Sequence, residues 1–486
     1  MSIVVVVDGR CRGQRITETM PTMQRVVIIG GGPGGYESAL VAAQLGAEVT
    51  VVDTDGLGGS AVLTDCVPSK TLIATAEVMT EVEVAGELGI FLRDHHGDAA
   101  AAIGVDLARV NARVKKLAAD QSHDIEARLA REGVRVVKGR GRLASPSKVV
   151  ATLPDGSEET YDADAVLIAT GASPRTLPSA MPDGERILTW EQVYDLDETP
   201  EKLIVVGSGV TGAEFASAYN ALGVDVTLVS SRDRVLPGED ADAATVLEEV
   251  FARRGMQVLG RSRMQSVSRE GDTVTVTLSD GRTVTGSHCL LALGSIPNTQ
   301  GIGLEDAGVE VDEGGFIKVD RVSRTTARGV YSAGDCTGVF MLASVAAMQG
   351  RIAMAHVLGD AVNPLDLGVV ASNVFTAPEI ATVGVTQTGV DEGKAFAEVV
   401  LQPLATNSRA KMQGVRDGFV KLFISPGSRR VLGGVVVGPR ASELIHPIAI
   451  AVDQRITADQ LAHVFTVYPS MSGSVAEAAR RLHQSS

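Results

Sequence analysis

The stretch RVVIIGGGPGGYESALVAAQLGAEVTVVD, residues 25–53, decides how the rest of the chain is read. Arg25–Ile29 is a short apolar run and Gly30-Gly31-Gly32-Pro33-Gly34-Gly35 follows it. Tyr36–Leu45 has a helical pattern stopped by Gly46, and Val49–Val52 is a second apolar run. Strand, glycine loop, helix and strand make a βαβ unit. Gly30 permits the tight turn, Gly32 lets backbone approach a pyrophosphate, and Gly35 allows close helix–strand packing. The helix N-terminus offers N–H groups to the phosphates. Asp53 closes the second strand, where a carboxylate takes both hydroxyls of a ribose.

The same grammar returns at Leu203–Val206, Gly207-Ser208-Gly209-Val210-Thr211-Gly212, a helix to Leu222, and Val226–Val229. Here the position equivalent to Asp53 is Ser230, followed by Ser231, Arg232 and Arg234. A carboxylate there repels a 2′-phosphate, whereas a hydroxyl and a guanidinium accept one. NADP(H) is therefore expected, with NAD(H) also open; the alternative is that these arginines are the solvated face of a loop. Two dinucleotides in one chain imply electron traffic between them. Pyridine nucleotides move hydride, and a flavin accepts it and passes on one or two electrons. Between the units, Ala165–Ile168 reads as a buried strand ending in Ala169-Thr170-Gly171, and Cys289–Leu293 ends similarly in Gly294. Beyond about residue 367 no glycine fingerprint recurs; Val431–Val437 is strand-like and Val475–Leu482 helical.

The 486 residues suggest about three domains. Aromatics are only 3%, so aliphatic side chains must fill the core. With 44 basic against 59 acidic residues and no Lys/Arg block, nucleic acid is not an expected partner. No apolar run approaches the ~18 residues of a membrane span. Cys11, Cys66, Cys289 and Cys336 are widely and irregularly spaced, which suggests neither a metal site nor a secreted disulfide framework and fits a reducing cytoplasm. Residues 1–23 read as an N-terminal extension; Ile3–Val7 is too short for a signal-peptide core and has no basic start.

The motifs GGGPGGY, CVPSK, ATG, GSGVTGAE, YSAGDC and VFTAPEIATVG carry a resemblance. From about Arg25 onward the chain resembles the flavoprotein disulfide reductases, the group of dihydrolipoamide dehydrogenase, glutathione reductase and mercuric reductase. The resemblance implies an α/β fold: two Rossmann-like dinucleotide-binding domains, for FAD and NAD(P), and a C-terminal α+β dimerisation domain. Residues 24–172 and 296–366 would bind FAD, 173–295 NAD(P), and 367–486 would form a homodimer. Gly30, Gly32, Gly35, Asp53, Gly59, Gly141, Thr170 and Gly171 would contact FAD. Asp335 would hold its ribityl–pyrophosphate region, and Met341, Leu342 and Ala343 would line the flavin ring. Gly207, Gly209, Gly212, Ser230, Arg232 and Gly294 would serve the nicotinamide dinucleotide. Lys70 and Glu214 match the ion pair beside flavin N5; read alone, they are an exposed helix lysine and a helix-surface acid.

Two departures change the expected chemistry. The family pattern GGTCLNVGCIPSK is here Gly58-Gly59-Ser60-Ala61-Val62-Leu63-Thr64-Asp65-Cys66-Val67-Pro68-Ser69-Lys70. Ala61 occupies the first redox-cysteine position, and one sulfur cannot bridge to an absent partner. The family's His-Pro-Thr…Glu segment is Tyr468-Pro469-Ser470-Met471-Ser472-Gly473, and a phenol is a poor base at neutral pH. Cys66 stands near the start of a helix taken to begin at Pro68, where a thiolate is favoured; the alternative is a small buried apolar residue. With Lys70 and Glu214 kept and the thiol machinery gone, electrons are expected to leave to a quinone, hydrogen-bonded by Tyr468. The same losses make the chain similar to actinobacterial lipoamide-dehydrogenase-like NAD(P)H:quinone reductases. Soluble pyridine-nucleotide transhydrogenase and a slowly turning, redox-sensing flavoprotein are the alternatives.

Overall fold

The computed structural model describes residues 23–91 and 103–482; the Ile3–Val7 run and Cys11 lie outside the described residues. Arg25–Ile29 is the middle strand of a five-stranded parallel sheet ordered Val330–Ser332, Ala165–Ile168, Arg25–Ile29, Glu48–Asp53, Arg135–Lys138. Its central strands are covered on both faces, which is why they read as apolar runs with no alternation. On one face the helices Pro33–Gln44 and Ala343–Val357 cross so closely that a Cβ on Gly350 would lie 2.3 Å from the Gly34 carbonyl oxygen. An antiparallel meander, Arg140–Ser145, Lys148–Thr152 and Glu158–Asp162, packs its apolar side chains onto the other face.

A second parallel sheet has Lys202–Val206 at its centre, in the order Gln257–Leu259, Asp225–Val229, Lys202–Val206, His288–Leu291, Ile187–Thr189. The chain passes between the two units through a short antiparallel ribbon, Ala172–Pro174 against Ser295–Pro297. The third part is a five-stranded antiparallel sheet, with Phe419–Ile424 and Val431–Gly438 near its middle, flanked by helices that include His446–Asp453 and Gly473–Arg481. The architecture is thus α/β with two Rossmann-like units and an α+β third unit. Among the described residues no helix is long and apolar enough to cross a membrane.

Two features tie the units together. Lys421, 1% exposed, projects from the antiparallel sheet to both carboxylate oxygens of Asp240, at 2.9 and 2.8 Å, and to Asp242 at 2.6 Å. Asp240 is also the N-cap of the Ala241–Arg253 helix in the second unit, accepting from the N–H groups of Asp242 and Ala243. The other tie is the helix Cys66–Glu83, which packs against Val210–Ala221. It begins two residues earlier than the proline suggests. Pro68 still lies in the first turn, where the N–H it lacks has no intrahelical partner anyway.

Candidate active site

The two glycine fingerprints divide their labour in the same way. In the first, a Cβ on Gly30 (φ +102°) would lie 2.2 Å from the Ala169 carbonyl oxygen, and one on Gly35 1.9 Å from that of Gly30. In the second, a Cβ on Gly207 would meet the Ala292 carbonyl at 2.1 Å, and one on Gly212 that of Gly207 at 1.8 Å. These four are needed for turning and packing. The middle glycines differ: nothing stands closer than 3.9 Å to a Cβ on Gly32, and nothing within 4 Å of one on Gly209. The space beside each helix N-terminus is open where a pyrophosphate would approach backbone N–H groups.

Around the first fingerprint the residues present fit a flavin dinucleotide. Thr170 Oγ1 is buried with no hydrogen-bond partner, and a buried hydroxyl of that kind calls for a ligand or water. Gly59 (φ +55°) brings its Cα against Gly32, and Gly171 also has positive φ. Asp53 ends its strand as expected, but its carboxylate accepts from Gly31 N at 2.6 Å and from Gly56 N at 2.7 Å. It fixes the loop through these bonds and keeps further lone pairs for a ribose. Gly141 lies in the meander, where a Cβ would strike Ile29 at 2.8 Å, so its glycine serves packing. Asp335 opens a short 3-10 turn; burial, then the neighbouring Asp65, push its carboxyl up to about 6. Leu342 N-caps the Ala343–Val357 helix, and Met341 beside it is exposed.

The centre of the site is an ion pair. Lys70 Nζ lies 2.9 Å from Glu214 Oε2, and Glu214 Oε1 accepts the Phe375 N–H at 2.8 Å. The ammonium also sits 5.0 Å from the Phe375 ring centroid. Glu214 is no helix-surface acid: its side chain is 4% exposed and Lys70's 30%. Burial pulls the Lys70 ammonium down, but Glu214, Cys66 and Asp65 outweigh it, and the net direction is upward. The pair gathers a residue from each of the three parts of the fold at one point.

Cys66 is the first residue of its helix and half-buried, beside Asp65, which caps that helix without a side-chain bond. Burial, then the Asp65 carboxylate, push the Cys66 thiol up to about 12. The favoured thiolate expected at a helix N-terminus is not what the site provides; the thiol stays protonated. Cys289 and Cys336, also free, are buried on other elements. Tyr468 is not brought to this cluster within the chain. It stands 85% exposed, between the Ala458–His463 and Gly473–Arg481 helices, next to exposed Val464, Phe465 and Val467.

On the nucleotide side of the second unit, the expectation for Ser230 needs correcting. Its hydroxyl is fully buried, 2.6 Å from Ser208 Oγ in the glycine loop and bonded to the backbone of Arg232. It braces the loop and presents nothing to a phosphate. Arg234 donates to the Pro237 and Glu239 carbonyls and shapes the same turn. Arg232 does line a cleft of about 500 Å³, with Ser231, Arg175, Arg263, Gly207 and Leu293. Gly294 (φ +81°), beside Leu293, accepts the Arg175 N–H. Arg175 and Arg263 carried no signal in the sequence, since isolated arginines near turns are ordinary surface residues.

With this geometry in view, the comparisons are specific. The model of the pyridine nucleotide-disulphide oxidoreductase family matches residues 24–350, and that of the family's dimerisation domain matches residues 370–479. The chain is 57% identical over 467 residues to a Mycobacterium tuberculosis protein named NAD(P)H dehydrogenase (quinone), covering 94% of each. It is 32% identical over 459 residues to dihydrolipoyl dehydrogenase of Zymomonas mobilis, covering 93% of this chain and 96% of that one. The crystal structure of LpdA from M. tuberculosis superposes with a TM-score of 0.90 at 56% identity, over 95% of this chain and 100% of that one.

Proposed function

This chain belongs to the pyridine nucleotide-disulphide oxidoreductase family, and we propose that within it the protein is an FAD-dependent NAD(P)H:quinone oxidoreductase that works without a redox-active disulfide. The observation that carries this reading is a contrast within one site. The Lys70–Glu214 pair is intact, with Glu214 buried and Lys70 partly exposed, while the neighbouring turn holds Ala61 and a single, protonated sulfur. The 57% identical relative bears the name NAD(P)H dehydrogenase (quinone), which points the same way.

FAD, when bound, accepts hydride from the nicotinamide and releases electrons singly or in pairs. The chain's own residues do the rest. Thr170, Gly59, Gly171 and Asp335 would hold the flavin dinucleotide, and Met341, Leu342 and Ala343 its ring system. Lys70, clamped by Glu214 and the Phe375 N–H, places a fixed positive charge where hydride arrives. Tyr468, exposed in one protomer, would meet the flavin site of a second copy and donate its hydroxyl to a quinone oxygen. The exposed Val464, Phe465 and Val467 would be covered in that homodimer. The free thiols suit a reducing cytoplasm.

Steady-state turnover of the purified holoenzyme with NADPH, comparing a quinone, thio-NAD and oxygen as acceptors, tests the reading. Fast quinone reduction with no dihydrolipoamide oxidation is expected. Preference for thio-NAD would favour a transhydrogenase, and slow turnover with every acceptor a redox sensor.

A further inference from the structure

Lys421 belongs to the third unit, yet what it holds is a segment of the second. Residues 230–240 join the Asp225–Val229 strand to the Ala241–Arg253 helix and are pinned at both ends. At the start the Ser230 hydroxyl reaches Ser208 in the glycine loop. At the end Asp240 takes the Lys421 ammonium on both carboxylate oxygens while it caps the helix. The two side chains are each 2% exposed, so each is the other's substitute for water. Between the pins, Leu236 has φ +50°, a left-handed conformation that a leucine keeps only where its surroundings hold it. Its buried side chain shares one apolar cluster with Phe419 and Phe423, which alternate with Lys421 along the same strand and so lie on the same face.

What Leu236 delivers is one hydrogen bond: its N–H donates to the Ser208 carbonyl at 2.8 Å. A trans peptide sets its C=O and the following N–H on opposite sides. With the Ser208 carbonyl turned to Leu236, the Gly209 N–H points away from this segment, at the glycine with nothing within 4 Å of its Cβ position. The first unit repeats the device, since Gly58 N–H donates to the Gly31 carbonyl at 2.8 Å and so orients the Gly32 N–H. There the donor is a glycine, which adopts its φ of +98° freely, and Asp53 secures the loop from within the same unit. In the second unit the donor is a leucine and its anchor comes from another part of the fold.

We propose that Lys421 is a positioning residue for the pyridine nucleotide: through Asp240 and Leu236 it fixes the Ser208–Gly209 peptide with the Gly209 N–H facing the pyrophosphate. The third unit thereby sets the nucleotide affinity of the second. The proposal rests on the reading of Gly207–Gly212 as the pyridine-nucleotide loop.

Two measurements on the oxidised holoenzyme test it: calorimetric titration with NADP+, and hydrogen exchange of the Leu236 amide without nucleotide. In Lys421→Met the amide should exchange about tenfold faster. NADP+ should bind about tenfold more weakly, the loss of one hydrogen bond to phosphate. In turnover the KM for NADPH should rise by a similar factor with kcat little changed, because this bond is made before and during hydride transfer alike. Leu422→Ala, a fully buried neighbour on the opposite face of the same strand, is the control: it costs stability and should leave both readouts at wild-type values. Lys421→Met/Asp240→Asn strands no charge yet still lacks the tie. Its urea midpoint should recover part-way while NADP+ affinity stays weakened, and it carries the test if Lys421→Met alone does not retain FAD. Stability and affinity recovering together, or Leu422→Ala weakening NADP+ equally, would mean that Lys421 serves stability alone. Unchanged Leu236 exchange in both Lys421 variants would equally overturn the proposal and leave the nucleotide loop standing. If wild-type protein does not bind NADP+, the nucleotide reading fails and takes the proposal with it.

Discussion

Replacing Lys70 by Met keeps the stem of the side chain and removes its charge. Glu214 then remains 4% exposed with only the Phe375 N–H, at 2.8 Å, as a partner. Breaking a fully buried pair from one side costs about 3–5 kcal/mol. Lys70 is 30% exposed, so water already screens part of this pair and about 2–3 kcal/mol is the reasoned figure. Glu214→Gln is milder: a neutral amide still accepts from Phe375, and the freed ammonium can turn to solvent. The double variant Lys70→Met/Glu214→Gln buries no charge and should be more stable than Lys70→Met alone. Urea unfolding of the three holoenzymes, followed by circular dichroism, gives the order. The pH dependence carries a sign. In the wild type the Lys70 ammonium is raised, so its contribution is whole below the ordinary lysine range and is lost only as pH climbs through the raised value. Rapid mixing with NADPH in the absence of quinone should show slower hydride uptake in Lys70→Met. If the single and double variants are equally unstable, a stranded buried carboxylate is not the cause and the reasoning fails.

Lys421→Met should lower stability by about 3–5 kcal/mol, because Asp240 and Lys421 are both almost fully buried; an unchanged urea midpoint would refute this, and Asp240→Asn added to it should restore part of the loss. Asp65→Asn removes the like charge beside Cys66, so the thiol should ionise below about 12 and, with burial still acting, above the ordinary cysteine range. The check is the pH profile of Cys66 alkylation, with Cys66→Ser as the blank; a profile identical to wild type counts against it. Tyr468→Phe should slow quinone reduction by about 1–3 kcal/mol in barrier, up to a hundredfold, and leave hydride uptake from NADPH unchanged. Slowed hydride uptake with intact quinone reduction would reverse the assignment.

Local grammar made the two Rossmann-like units legible: strand, glycine loop, helix and strand follow one another in a single short stretch, although Gly30 and Gly207 make their close approaches to the distant Ala169 and Ala292 carbonyls. The Lys70–Glu214 pair spans 144 residues and emerged only through motifs resembling a family. What stayed hidden depends on which distant groups face each other. Lys421 sits in the apolar run Phe419–Ile424, where the sequence does not reveal that Asp240, 181 positions away, would receive it. Ser230 looked available because its type suits a phosphate, yet Ser208 and the Arg232 backbone consume its hydroxyl. Helix position alone favoured a Cys66 thiolate; burial and Asp65 act the other way and prevail.

The lost sulfur leaves the fold intact because the turn that would carry a disulfide is closed by other means. A crosslink between positions 61 and 66 would close a loop of about six residues, worth ~2 kcal/mol in the chain-entropy model. In this chain the Ser60 carbonyl accepts the N–H groups of both Thr64, at 3.0 Å, and Asp65, at 2.8 Å, and the Asp65 carbonyl accepts Ser69 N at 2.7 Å. Those bonds fix the start of the Cys66–Glu83 helix, and with it Lys70, one turn further on. Position 61 therefore carries only a methyl group while the Lys70–Glu214 pair keeps its geometry. A dihydrolipoyl dehydrogenase at 32% identity and a protein named NAD(P)H dehydrogenase (quinone) at 57% identity both align with this chain over more than nine-tenths of its length.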